Sequence, residues 1–380
     1  MAQPCLDNYH TEFDNFDDLV VHHEGVSKQS RWEKLDVKSI RVAPCDKGSK
    51  LYSDISMFES GVSMEAVEDT AENLGLAIKF GGKHIPVRTT AYKSLLDRAK
   101  INGTALSKLE KKKLSGVLNS CLEIHSAGAL LLVRDEKVAA CHSGDEKDYA
   151  RMDIDQLLNG LGDKLDDKYP GYTFHFGYSD HALTSAEFRL PGQKDDLLAV
   201  YSRELEAHGK TAMAGNIMPG IRFMTSDTGI SSAKVSALLF GLQYPIHIGS
   251  AIAVHHRGQS KVDDFIGSLD QLFAKMDKSY SRLAELMKIP IEYPVNTMTR
   301  ICKKLSMPKK PAIDAIQMYE MTYGDGLSTA HEVFVALQEV IFNMRIEKTP
   351  ESKLLTTEEN LSRALWFRWS DYDLAKAVEY

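Results

Sequence analysis

Cysteine is scarce in this chain of 380 residues. The five thiols, Cys5, Cys45, Cys121, Cys141 and Cys302, are odd in number and include no CxxC pair. That spacing excludes a zinc ribbon and a secreted disulfide framework, so reduced thiols in a cytoplasmic protein are expected. Long apolar runs are also missing. The longest, at 127–133 and 235–242, fall well short of the roughly 20 residues that cross a bilayer, and no membrane partner is expected. The first 25 residues have neither a basic start nor an apolar segment, so no secretory signal is expected.

The usual catalytic and nucleotide-binding signatures are absent too. Gly81-Gly82-Lys83 is too short for a phosphate loop, and no GxGxxG leads from a strand into a helix. There is no HExxH and no GxSxG elbow. Asp227-Thr228-Gly229 occurs once, whereas an aspartic protease needs paired copies. His255-His256 would point to opposite faces of a strand and so could not easily share one ion. No metal and no cofactor are implied, and the balance favours a non-enzymatic protein.

Composition is that of a globular protein, 43% hydrophobic and 26% charged, with a net charge of −7. The length suggests two or three domains. An acidic arm (1–34) would precede an α+β domain (35–257) and a helical domain (258–380). Residues 1–24 hold six acidic side chains and no Lys or Arg. They are expected as a solvated arm, or as a cover for a basic surface anchored by Phe13, Phe16, Leu19 and Val20.

Period-two patterns predict strands at 35–42, 129–133, 137–141, 172–178, 181–190, 220–225, 235–240 and 246–255, and a hairpin at 78–87 turning at Gly81-Gly82. Helical spacing appears at 63–74, 89–100 and 154–165. Ser107 and Glu110 read as a capping box for a helix through Leu114, Leu118 and Cys121, and Asn102-Gly103 as the stop before it. From Gly258 the period becomes 3.6. One long helix is predicted at 261–287, with shorter ones near 295–306 and 310–322. Two more would be boxed by Thr329/Glu332 and by Thr356/Glu359. Strands mixed with a few helices, followed by helices only, give an α+β fold with a mixed or antiparallel β-rich centre and an all-helical C-terminal region.

Positive charge is clustered. Residues 93–113 carry seven basic against two acidic residues: Lys93, Arg98, Lys100, Lys108, Lys111, Lys112 and Lys113. Residues 275–310 carry nine against three, including Lys303, Lys304, Lys309 and Lys310. Such clusters give salt-dependent affinity for phosphate backbones. Tyr92, Tyr280 and Tyr293 could add stacking, and Arg222 and Arg257 add charge among the strands. An alternative polar site would join Ser226, Asp227 and His255 around a metal ion.

Residues 128–161, GALLLVRDEKVAACHSGDEKDYARMDIDQLLNGL, with the upstream HIPVRTTAYKSLLDRAKI, the later IMPGIRFMTSDTGISSAKV and HEVFVALQEVIFNM, resemble a phage- and plasmid-associated domain of unknown function. The resemblance runs over roughly residues 75–345. It departs from the family at Thr225-Ser226-Asp227, where Asn-Ser-Glu is usual, and at 251–258, which lacks a Cys-x-Asn-Gly tetrad. It implies a mobile-element protein working around DNA, and supplies no catalytic residues. The expected function is therefore nucleic-acid binding, such as single-strand binding or annealing, by a homo-oligomer. The alternatives are a metal-dependent enzyme acting on nucleic acid or nucleotides, and a protein–protein module that engages a host partner.

Overall fold

The computed structural model describes residues 3–54, 58, 61–144 and 149–380. Residues 145–148 of the family-like stretch lie outside the described residues.

The N-terminal half is built around two small antiparallel sheets. Strand β1 (His10–Phe13) leads into α1 (Phe16–Gln29), capped by the Asn15 side chain, and then β2 (Arg31–Asp36). The predicted strand at 35–42 is in fact two strands in two sheets. Asp36 accepts from the Lys38 amide at 2.9 Å and bends the chain into a 3₁₀ turn, after which β3 (Arg41–Pro44) begins. Helix α2 (Met64–Glu72) precedes the hairpin β4 (Leu76–Phe80) and β5 (Lys83–Pro86), which turns at Gly81-Gly82, both at positive φ, as expected. Helix α3 (Ala91–Ala99) ends on Lys100 in the left-handed region, before the predicted Asn-Gly stop. The Ser107–Glu110 capping box does not form. Ser107 donates instead to the Thr104 carbonyl, and α4 (Lys111–Ile124) starts without a side-chain cap. The hairpin β6 (Gly128–Arg134) and β7 (Lys137–Ser143) closes through Asp135 and Glu136, both at positive φ. Strand order is β2-β6-β7 in one sheet and β3-β4-β5 in the other. The apolar sides of these sheets and of α3 and α4 share a core that includes Ile78, Leu95, Leu118 and Leu131.

The second half begins with α5 (Ile154–Lys168), β8 (Thr173–Asp180) and β9 (Thr184–Arg189). Two helices not predicted from the sequence follow, α6 (Lys194–Ala207) and α7 (Thr211–Asn216). Strands β10 (Met218–Thr225), β11 (Ala233–Phe240) and β12 (Ile246–Val254) complete a six-stranded antiparallel sheet, β1-β8-β9-β10-β11-β12. The N-terminal residues are therefore not a solvated arm. β1 is an edge strand of this sheet, Leu19 is fully buried, and Phe13, Phe16 and Val20 pack on the main core.

The predicted long helix is broken in two, α8 (Val262–Ser268) and α9 (Leu272–Leu286), by a 3₁₀ turn at Leu269–Gln271. The Gly267-Ser268 pair, with Ser268 Oγ donating back to the Phe265 carbonyl, supplies the interruption. A two-stranded ribbon, β13 (Pro290–Ile291) and β14 (Ser328–Thr329), encloses α10 (Pro294–Lys304) and α11 (Lys309–Tyr323). Helices α12 (Ala330–Ala336), α13 (Glu339–Ile346) and α14 (Glu351–Ser362) close the chain. The fold is α+β, with antiparallel sheets in the N-terminal and central parts and helices toward the C-terminus.

The six-stranded sheet has two unlike faces, because alternate residues point to opposite sides. Ala186, Phe188, Ile221, Phe223, Val235 and Leu239 pack onto the helices in the largest core. That core runs across residue 258, since Phe265, Leu283 and Phe334 belong to it. The opposite face carries Glu187, Arg222 and Lys234 and is covered by α13 and α14. There Arg222 bonds Glu187 at 2.7 Å and also pairs with Glu358, which Arg345 reaches at 3.1 Å. Arg222, expected to add surface charge, is thus consumed in a buried network.

Candidate anion-binding cleft

The loop between β10 and β11 sits where the two halves meet. Ser226 Oγ accepts from the amides of Thr228 at 3.2 Å and Ile230 at 3.3 Å, which folds the loop on itself. The Asp227 carboxylate is buried against the Arg134 guanidinium at the end of β6. Burial opposes its charge, but Arg134, aided by His23 and His142, outweighs this and holds the carboxyl below its usual range. The Asp227 carbonyl accepts from Tyr149 Oη at 3.0 Å and lies 2.8 Å from His142 Nε2. Gly229, at φ +82°, passes so close to His142 that a Cβ there would meet its ring at 3.1 Å.

Beside the loop four rings form a stack. His142 and Tyr149 lie 3.8 Å apart and are nearly parallel, Tyr149 and His256 are 5.7 Å apart, and Trp32 flanks the His142–Tyr149 pair, 6.1 and 6.0 Å from the two rings. Arg151 sits over Trp32 at 5.5 Å. Tyr149 lies between the rings of His142 and His256, and with Trp32 beside them the four rings form a wall. Burial lowers the pKa of both His142 and His256, keeping the wall largely neutral near pH 7.

This wall borders a cleft of about 720 Å³. Arg98 from α3, Lys234 from β11, and His255 and Arg257 after β12 line it, together with Ser231 and Ser232 of the loop. Asp97 is the only carboxylate among the described residues that line it. Lys234 is held by Glu359. Arg98 and Arg257 are different, since neither guanidinium meets a carboxylate or a hydrogen-bond acceptor among the described residues. Arg98 Nε is even enclosed without a partner. Two cations from separate halves, without a carboxylate partner among the described residues, thus face one concavity that Ser231 and Ser232 also line. Anionic oxygens are the chemistry this arrangement can satisfy.

The remaining basic residues lie elsewhere. Lys93, Lys100, Lys108, Lys112 and Lys113 are exposed around α3 and α4, Lys113 pairs with Glu110 at 3.1 Å, and the Lys111 stem lies against Gly75. Lys303 and Lys304 end α10, where Lys303 donates to the Glu379 carbonyl at 2.7 Å. Lys309 and Lys310 open α11, and Lys310 bonds Glu347 at 2.5 Å. The two clusters belong to different hydrophobic cores, and no described cavity is lined by both. Tyr280 cannot stack on a base, because it is fully buried and donates to the Leu238 carbonyl at 2.5 Å.

Ser226 and Asp227 line a separate cavity of about 310 Å³ with His22, His23 and His181. His255 faces the cleft, while its neighbour His256 turns inward, 3.2 Å from the Ala150 carbonyl. The three residues of the alternative polar site are therefore not gathered around one point. Among the described residues no group of three His, Cys, Asp or Glu is placed to hold a metal ion. No helix among them is long and apolar enough to cross a membrane. Lys234 and the Arg98–Arg257 convergence were missed in the sequence, where the two arginines stand 159 positions apart and nothing local links them.

Comparison with protein-family models, with curated proteins and with solved structures finds no match.

Proposed function

We propose that the protein binds nucleic acid, with the cleft between its two halves taking the phosphate backbone. The observation that carries this reading is the pair of guanidiniums, Arg98 and Arg257, on one concavity, without a carboxylate partner among the described residues, where Asp97 is the one carboxylate in the lining. Guanidinium groups bond phosphate oxygens in bidentate fashion, and the hydroxyl-bearing Ser231 and Ser232 also line the cleft. The resemblance to a mobile-element family is compatible with this role, and a phage or plasmid setting is part of the proposal.

Fluorescence anisotropy with labelled single- and double-stranded oligonucleotides over a salt series tests the reading. Binding should weaken with salt, and each of Arg98→Ala and Arg257→Ala should lower the log–log salt slope by about 0.7 to 0.9. No binding to either substrate at low salt would refute it. Binding that is indifferent to both substitutions would move the interface to the outlying lysines.

A further inference from the structure

A second concave surface lies far along the chain, between α11, α12 and α13. One cavity of about 620 Å³ is lined by Met318, Tyr323 and Leu327 on one side and by Val335 and Glu339 on the other. A second, of about 270 Å³, reaches Tyr244 and Phe342, whose rings stack at 5.1 Å. Met213, Gln243, Val335 and Glu339 line both, so the two hollows form one continuous groove.

The rim of the groove is unusually apolar. Leu327 is 78% exposed, Tyr323 73% and Met318 59%. Single exposed apolar residues are ordinary, but three within ten positions lining a groove mark a contact surface. Methionines at such a surface adapt to the shape of an incoming partner.

The charges indicate which partner fits. Inside the groove Lys210 is matched by Glu332 at 3.0 Å, and Arg345 by Glu351 and Glu358. Glu339, at the junction of the two hollows, has no cation and no hydrogen-bond donor among the described residues. Burial alone acts on its carboxyl and raises its pKa. Exposed Asp325 stands in the loop that carries the lining residues Gly326 and Leu327. Apolar walls with one carboxylate at the centre unmatched among the described residues, and Asp325 in the adjoining loop, complement a helix with an apolar face and flanking Lys or Arg.

We infer that this groove docks a basic amphipathic helix of a protein partner, with Glu339 taking its central cation. The nucleic-acid reading is separate, since none of the residues of the cationic cleft contributes here.

The probe is a labelled synthetic amphipathic helix of Leu and Lys, compared with its Leu and Glu counterpart. The full chain is titrated and followed by anisotropy. The Leu/Lys helix should bind and the Leu/Glu helix should not. Glu339→Lys and Leu327→Asp should each weaken binding by about tenfold or more, Glu339→Gln by less. Glu65→Lys, an exposed change on α2, should leave it unaltered. Equal binding of both peptides, or equal loss with Glu65→Lys, would overturn the proposal by showing unspecific adhesion. A concentration-dependent dimer in sedimentation that Leu327→Asp abolishes would overturn it by assigning the groove to a second copy of this chain.

Discussion

At the scale of single residues, burial of titratable groups governs how the molecule responds to acid. His23, His181, His247 and His331 are buried, and burial pulls each pKa down to about 3. In an unfolded chain the same imidazoles titrate near 6.5. Between those values the unfolded state binds protons that the native state refuses. The stabilisation is complete above about pH 6.5 and is lost as pH falls toward 3, at up to about 1.4 kcal/mol per unit for each imidazole. Urea midpoints should therefore fall steeply from pH 6.5 downward. His331 shares a 2.8 Å hydrogen bond with Tyr201 Oη, and its Nδ1 has no partner. His331→Gln should lower stability at pH 7 and flatten the acid slope. An unaltered slope would place the titration elsewhere. None of these shifts could be read from the sequence, because each depends on which distant segments enclose the ring.

At the scale of elements, the same short pattern led to opposite outcomes at two places. Thr329 and Glu332 form the capping box expected of them. Thr329 Oγ1 accepts from the Glu332 amide at 3.2 Å, and Glu332 Oε2 accepts in return from the Thr329 amide at 3.2 Å. Thr356 and Glu359 match the pattern equally well, yet α14 begins five residues earlier, just after Pro350, whose ring presets φ there. Thr356 Oγ1 donates to the Ser352 carbonyl inside the helix, and Glu359 pairs with Lys234. Thr329→Ala should cost about 1 kcal/mol. Thr356→Ala, exposed within a helix, should be neutral or slightly stabilising. Chemical denaturation of the two variants side by side distinguishes them, and equal losses would contradict the assigned roles. Helix α6 shows the reverse case. Its buried Leu197, Leu198, Tyr201 and Leu205 already stand at helical spacing, so the signal was present in the sequence.

At the scale of the whole molecule, the N-terminal segment ties the two halves together. The Leu6 carbonyl accepts from Arg88 at 3.1 Å and from His181 at 2.9 Å, one in each half. Asp7 bonds buried Lys137 at 3.0 Å, lies 3.7 Å from buried Arg88, and accepts from the Thr89 amide at 2.9 Å. β1 then joins the edge of the six-stranded sheet. Removing the Asp7 carboxylate leaves two enclosed cations with less compensation, so Asp7→Ala should destabilise by about 3–5 kcal/mol. A loss below about 1 kcal/mol in urea unfolding would show that the segment contributes little. Burial opposes the Asp7 charge, but Lys137 and Thr89 hold its carboxyl below the usual range. This contribution is present above the ordinary carboxylate pKa and is lost as pH falls through the lowered one.

The sequence by itself determined the α+β class, the hairpin turns at Gly81-Gly82 and at Asp135-Glu136, and the helical end of the chain. These rest on side-chain periodicity and on backbone preferences that act within a few residues. It also marked Arg98 and the acidic start of the chain as notable. Only the tertiary structure decided what those charges meet. Arg222 finds Glu358 across 136 positions, and Lys137 finds Asp7 across 130, and both become interior pairs. Arg98 and Arg257 find no carboxylate among the described residues. Pairing is fixed by how distant segments pack, and unpaired charge is what packing leaves over, so no local pattern could have indicated which cations would stay free.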